Sequence, residues 1–140
     1  MNKSIQLHDC ELAALTFSDC STVVLFSPAY VHESLGIPGF DAGSGWAQVA
    51  TLTFSNSAPT SLPPELPIWV LDGVLRIGDA AYETFIPAGG FFEGTIELLL
   101  TLSTAEGEAG GTLKIGGERL LIELSGEPSH VGEFRGYAVP

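Results

Sequence analysis

The sequence predicts an all-β protein, a single-domain antiparallel sandwich or partly closed barrel of about eight strands. Three features predict it. Apolar side chains recur at every second position in the strongest hydrophobic runs. Turn-forming residues punctuate those runs at short intervals. The three-and-four spacing of an amphipathic helix is hard to find anywhere in the chain.

Taken in order, the first strand is predicted over 11–17, "ELAALTF", and "SDCS" at 18–21 turns the chain into a second strand over 22–31. A long interruption, "HESLGIPGFDAGSG" at 32–45, precedes a third strand over 46–54. "SAPTSLPPELP" at 57–67 reads as a loop, because Pro59, Pro63, Pro64 and Pro67 deny backbone donors to any ladder. Strands over 72–78 and 81–86 follow. In "TIELLLTLS" within 94–103, Ile96, Leu98, Leu100 and Leu102 share one face and only Leu99 breaks the alternation. "AEGEAGG" at 105–111 closes that strand. The last two strands are placed over 112–116 and 118–125, with a hairpin at Gly116 and Gly117. A two-residue loop there sets Lys114 against Arg119, and a three-residue loop avoids that clash, so the register stays open.

The 140 residues suit one domain over 1–140, with enough chain to bury a core unaided by staples. Five Lys and Arg stand against seventeen Asp and Glu, a formal charge of −12. That balance argues against nucleic acid and anionic membranes, both of which need a basic cluster. It favours a basic protein, which a net negative field steers inward. Apolar side chains make up 45% of the chain, which leaves surface for self-association into a homo-oligomer as well. The start "MNKSIQLHD" has no apolar stretch of the kind a secretory signal carries, and no run approaches the roughly 18 apolar residues of a membrane helix. The expected location is cytoplasmic, with Cys10 and Cys20 as reduced thiols.

Several residues invite a chemical reading. In "LHDCEL", His8 and Cys10 point to one strand face and Asp9 to the other, so a nucleophile and base could pair there. No cation or helix N-terminus can be placed beside Cys10 to lower its pKa, and a small buried thiol with polar residues capping the sheet reads more simply. His32 and His130 lack H-x-H or H-E-x-x-H spacing, so neither a metal nor another cofactor is expected. "AGSGW" has Ala42 where the G-x-S-x-G elbow needs glycine, which argues against a serine hydrolase. "GFDAGSGW" partly matches the Asp-box turn through Asp41, Gly43 and Trp46, and would use Asp41 to bind backbone amides. In "IPAGGFFEG", one ring of Phe91 and Phe92 must face away from the core.

"LHDCEL", "FSPAYVH" and "DAGSGW" together resemble small bacterial proteins of unknown function that open with L-H-D-S/C-x-L before a first strand. The resemblance covers the first third of the chain and implies a compact β fold, with no activity or ligand attached. The expected function is noncatalytic binding of a protein or of a second copy, with Trp46, Phe91 and Phe92 as aromatic anchors and no catalytic residue. The alternative is a small β-barrel enzyme or ligand binder whose pocket gathers His8, Cys10, His32, Asp41 and His130. Convergence of three of those five in one cavity separates the two.

Overall fold

The computed structural model describes residues 1–137. Within them lie ten strands: β1 (Asn2–Gln6), β2 (Glu11–Ser18), β3 (Ser21–Ser34), β4 (Gly43–Ser55), β5 (Ala58–Ser61), β6 (Ile68–Ile77), β7 (Ala80–Glu83), β8 (Phe85–Pro87), β9 (Gly90–Ser103) and β10 (Ala109–Phe134). The described residues contain no helix.

All ten belong to one antiparallel sheet, in the order β2-β6-β9-β10-β4-β3-β1-β8, with β5 on β10 and β7 on β6. Because β2 also pairs with β3, the sheet curls round on itself. Closure is only partial, since β2 meets β6 at just two residue pairs, Glu11↔Trp69 and Leu12↔Ile68. One core fills the interior: Val24, Phe26, Leu52, Phe54, Leu98, Leu100, Leu120 and Ile122 are all buried and alternate along their strands. Each such side chain contributes about 1.5–3 kcal/mol on leaving water. Thr22 is buried among them, and its hydroxyl is satisfied by the Ser57 hydroxyl at 2.9 Å.

The "SDCS" turn is a two-residue hairpin in which Asp19 and Cys20 both adopt left-handed backbone, φ 45° and 64°. That geometry matches the right-handed twist of the flanking strands. The hairpin expected at Gly116 and Gly117 does not exist. β10 runs straight through, pairing Gly116 with Glu97 and Gly117 with Ile96. Neither glycine has a positive φ. A Cβ on Gly117 would come within 3.2 Å of the Ser55 carbonyl oxygen, so this glycine serves close packing of strands and not a turn. The two strands expected over 112–116 and 118–125 are therefore one.

Three further elements differ from expectation. The strand expected over 81–86 is two, β7 on β6 and β8 on β1, because Thr84 between them turns the chain with φ 67°. Residues 58–61 form β5 inside the proline-rich segment, a short edge strand on β10 with Pro59 opposite Ile115. An edge tolerates proline because its outer side needs no donor. β1, ahead of the first expected strand, pairs with β3 on one side and β8 on the other. Its sequence, "NKSIQ", holds one buried residue, Ile5, too little for an alternation to show.

β10 bends at several bulges. It pairs with β9 as far as Ile122↔Gly90, then continues along β4 alone to Phe134↔Gly43. The far end of β10 thus leaves the ring with β4, β3, β1 and β8 as a side wing. Beyond Ile122 its other edge faces no strand among the described residues. Pro128 and the bulges between Ser125 and Ser129 and between His130 and Gly132 break the regularity of that edge, which discourages strand addition.

Candidate functional site

The wing carries a cavity of about 390 Å³. Its lining draws on both faces of the wing: Tyr30 and His32 lie on one, and Val31 with Trp46, which stand opposite each other, on the other. Gln6 on β1 stands opposite Tyr30 on β3, and two residues along, His32 stands opposite Gly45 on β4, itself opposite Gly132 on β10. Two glycines side by side leave bare backbone beside the imidazole. A Cβ on Gly45 would meet only the Gly132 carbonyl oxygen, at 3.8 Å, and one on Gly132 would meet nothing within 4 Å. The floor is open because these side chains are missing, not because a loop has swung away.

Aromatic residues wall the trough. Tyr30 and Phe134 line it on the His32 face, and Trp46, opposite Val31 and His130, lines it from the other. His32 packs edge-on against Phe85 at 5.3 Å and Phe134 at 6.0 Å between ring centroids. Phe134 continues to Tyr137 at 5.3 Å, and Tyr137 to Phe40 at 5.9 Å. The His32 Nε2–H donates to Gln6 Oε1 at 2.6 Å, which fixes the ring. Burial holds the His32 pKa below its ordinary value, so the imidazole is neutral at pH 7.

Two carboxylates complete the lining, Asp9 and Glu133. His130 Nε2 lies 2.8 Å from Glu133 Oε1, and His8 Nε2 lies 3.4 Å from Asp9 Oδ2. No Lys or Arg lines the cavity. Elsewhere Lys3 pairs with Glu33, and Arg76 and Lys114 both pair with Glu97. The trough is thus a negatively charged, aromatic-walled slot, suited to a cation that can lie on ring faces and meet carboxylates.

The five residues of the expected pocket do not converge here. His32 lines the trough, and His130 stands beside it, its ring 4.9 Å from that of Trp46. His8 belongs to a neighbouring cavity. Asp41 accepts the Ile37 amide at 2.6 Å and holds the 37–41 turn, the backbone role its sequence context implied. Cys10 is fully buried, its thiol donating to the Gln6 carbonyl at 2.9 Å. Burial, reinforced by the Asp9 charge, raises its pKa to about 12, so no thiolate forms near neutrality. No group of three or more His, Cys, Asp or Glu residues is arranged to hold a metal ion among the described residues.

Of the expected anchors, Trp46 is at the trough. Phe92 stands opposite Leu120 and packs on the core, while Phe91 stands opposite Leu121 and is 57% exposed, so the two rings do split between faces. Gln6, Tyr30, Gly45, Gly132, Glu133 and Phe134 were not singled out from the sequence. Tyr30 and His32 carried one usable signal, since residues two apart on a strand share a face.

No family model matches the chain, and no curated protein or solved structure matches it either. No helix of the described residues is long and apolar enough to cross a membrane.

Proposed function

We propose that this chain is a noncatalytic binding domain for a basic protein, and that the trough between β1, β3, β4 and β10 receives an arginine or lysine side chain of that partner. The observation that carries the reading is the lining itself: the carboxylates Asp9 and Glu133 and the aromatic residues Tyr30, Trp46 and Phe134 share it, with no Lys or Arg among them. A guanidinium stacks on aromatic faces and hydrogen-bonds to carboxylates at once, and arginine is the better fit for that reason. The bare floor at Gly45 and Gly132 gives the side chain depth, and neutral His32 does not oppose its charge. A net charge of −12 draws a basic partner in over long range, and the trough fixes where it docks. The work is placed in the cytoplasm, where the free thiols Cys10 and Cys20 stay reduced.

Calorimetric titration with acetyl-Gly-Arg-Gly-amide, against the same peptide with glutamine for arginine, tests this. The arginine peptide is expected to bind with Kd on the order of 1 mM, and more weakly as salt rises. Gly132→Leu fills the trough at a position where a side chain meets nothing, so it should abolish binding and leave the unfolding midpoint unchanged. Glu133→Lys should abolish it too. Equal binding of the two peptides, or none by either, would overturn the proposal.

A further inference from the structure

The trough has a neighbour on the same face. A second cavity, about 280 Å³, is lined by Gln6, His8, Asp72, Phe85 and Tyr137 among others. Gln6 is common to both cavities. The saddle between them is the hydrogen-bonded pair Gln6 and His32 with the Phe85 ring packed against it. The chemistry repeats as well: a carboxylate, Asp72, stands beside aromatic rings, Phe85 and Tyr137, and no Lys or Arg lines the space. Arg135, exposed beside Phe134, lines neither cavity.

Asp72 is held in place. Its Oδ1 accepts the Gly73 amide at 2.8 Å and the Thr84 hydroxyl at 3.1 Å, while its Oδ2 makes no hydrogen bond among the described residues. Thr84 itself is fixed at φ 67° by an amide bond to the Gly73 carbonyl and a carbonyl bond from the Leu7 amide. A β-branched residue held there needs such support on every side.

We infer that the two cavities form one composite site that reads two cationic side chains of a single extended segment. This rests on the proposed reading of the trough and adds the spacing of the ligand. Tyr30, Gln6 and Phe85 stand opposite one another on β3, β1 and β8, so the cavities are offset by two inter-strand steps. Two such steps are about 10 Å, which a segment in the polyproline II conformation covers in three residues, bringing the fourth side chain back to the same side as the first. The segment that fits is Arg-x-x-Arg, or its lysine equivalent, lying across the strands of the wing with the two side chains on either side of the Gln6–His32 saddle. Joining the contacts in one ligand makes the second intramolecular and raises affinity without a new kind of bond.

Fluorescence-polarisation titration of the full chain with labelled Arg-Gly-Gly-Arg, Arg-Gly-Gly-Gln and Arg-Arg-Gly-Gln peptides tests it. The spaced dibasic peptide is expected to bind about tenfold more tightly than either other. Asp72→Asn keeps the oxygen acceptor used by Gly73 and Thr84 and removes the charge, so it should erase that gain and leave the monobasic peptide unaffected. Asp79→Asn, in the exposed β6–β7 turn, removes the same charge elsewhere and should change neither. Equal affinity for spaced and adjacent arginines, or an equal loss in both variants, would overturn the two-cavity reading and leave the trough intact. No binding of any arginine peptide would overturn both.

Discussion

Replacing Phe54 by alanine is expected to lower the stability of the chain by about 3–5 kcal/mol. Phe54 is fully buried and sits at a crossing point, opposite Thr22 on β3 and opposite Leu120 on β10. Three strands of the ring, β3, β4 and β10, meet at that one side chain. Phe91→Ala is the matched control. It removes the same atoms from a position 57% exposed on the outer face, and its cost should stay under about 1 kcal/mol. Urea unfolding of the three proteins gives the comparison directly. Similar losses in both variants would contradict the placement of the core inside the ring.

A second large effect is expected in alkali. The Cys10 thiol is protonated in the folded chain up to about pH 12, because burial opposes the thiolate, whereas in the unfolded chain it titrates near 9.0. The folded state therefore holds the proton more tightly. Its contribution to stability is complete below pH 9.0 and is lost as pH rises toward 12, at about 1.4 kcal/mol per pH unit. Cys10→Ala deletes the group, so its stability should fall less steeply over that window than that of the parent chain. Other groups titrate there too, and the difference between the two slopes isolates Cys10. Parallel slopes would mean that the thiol is not shut away from water.

Much of the sheet was legible because its strands are half-buried and alternate. β9 is the clearest case: Ile96, Leu98, Leu100 and Leu102 are all buried, and the exception, Leu99, lies on the other face. The Asp19–Cys20 hairpin was legible from turn chemistry. Gly116 and Gly117 misled for a physical reason. Glycine is permissive, so the same pair serves a positive-φ turn or a close approach between strands, and only the surrounding packing chooses. β1 and β5 were hidden because short strands at the side of a sheet bury too few residues to leave a pattern.

The site was less legible than the fold. Trp46 and His32 were singled out, but the trough depends on cross-strand neighbours that lie far apart in the chain: Gln6 opposite Tyr30, and Gly132 opposite Gly45. Its floor consists of two residues with no side chain, which carry no chemical signal in a sequence. The carboxylates, Asp9 and Glu133, were two among seventeen. Their meaning came from where the bent end of β10 lays Glu133 against the wing.

The most direct measurement is a two-dimensional amide spectrum of the labelled chain recorded while the arginine peptide is added. Binding in the trough is expected to move the signals of Gly45, Gly132 and the Trp46 indole N–H together, along with the Gln6 side-chain amide, in proportion to occupancy. Movement centred instead on Phe91 and Leu121, or scattered evenly over the acidic surface, would contradict the assignment of the trough as the binding site.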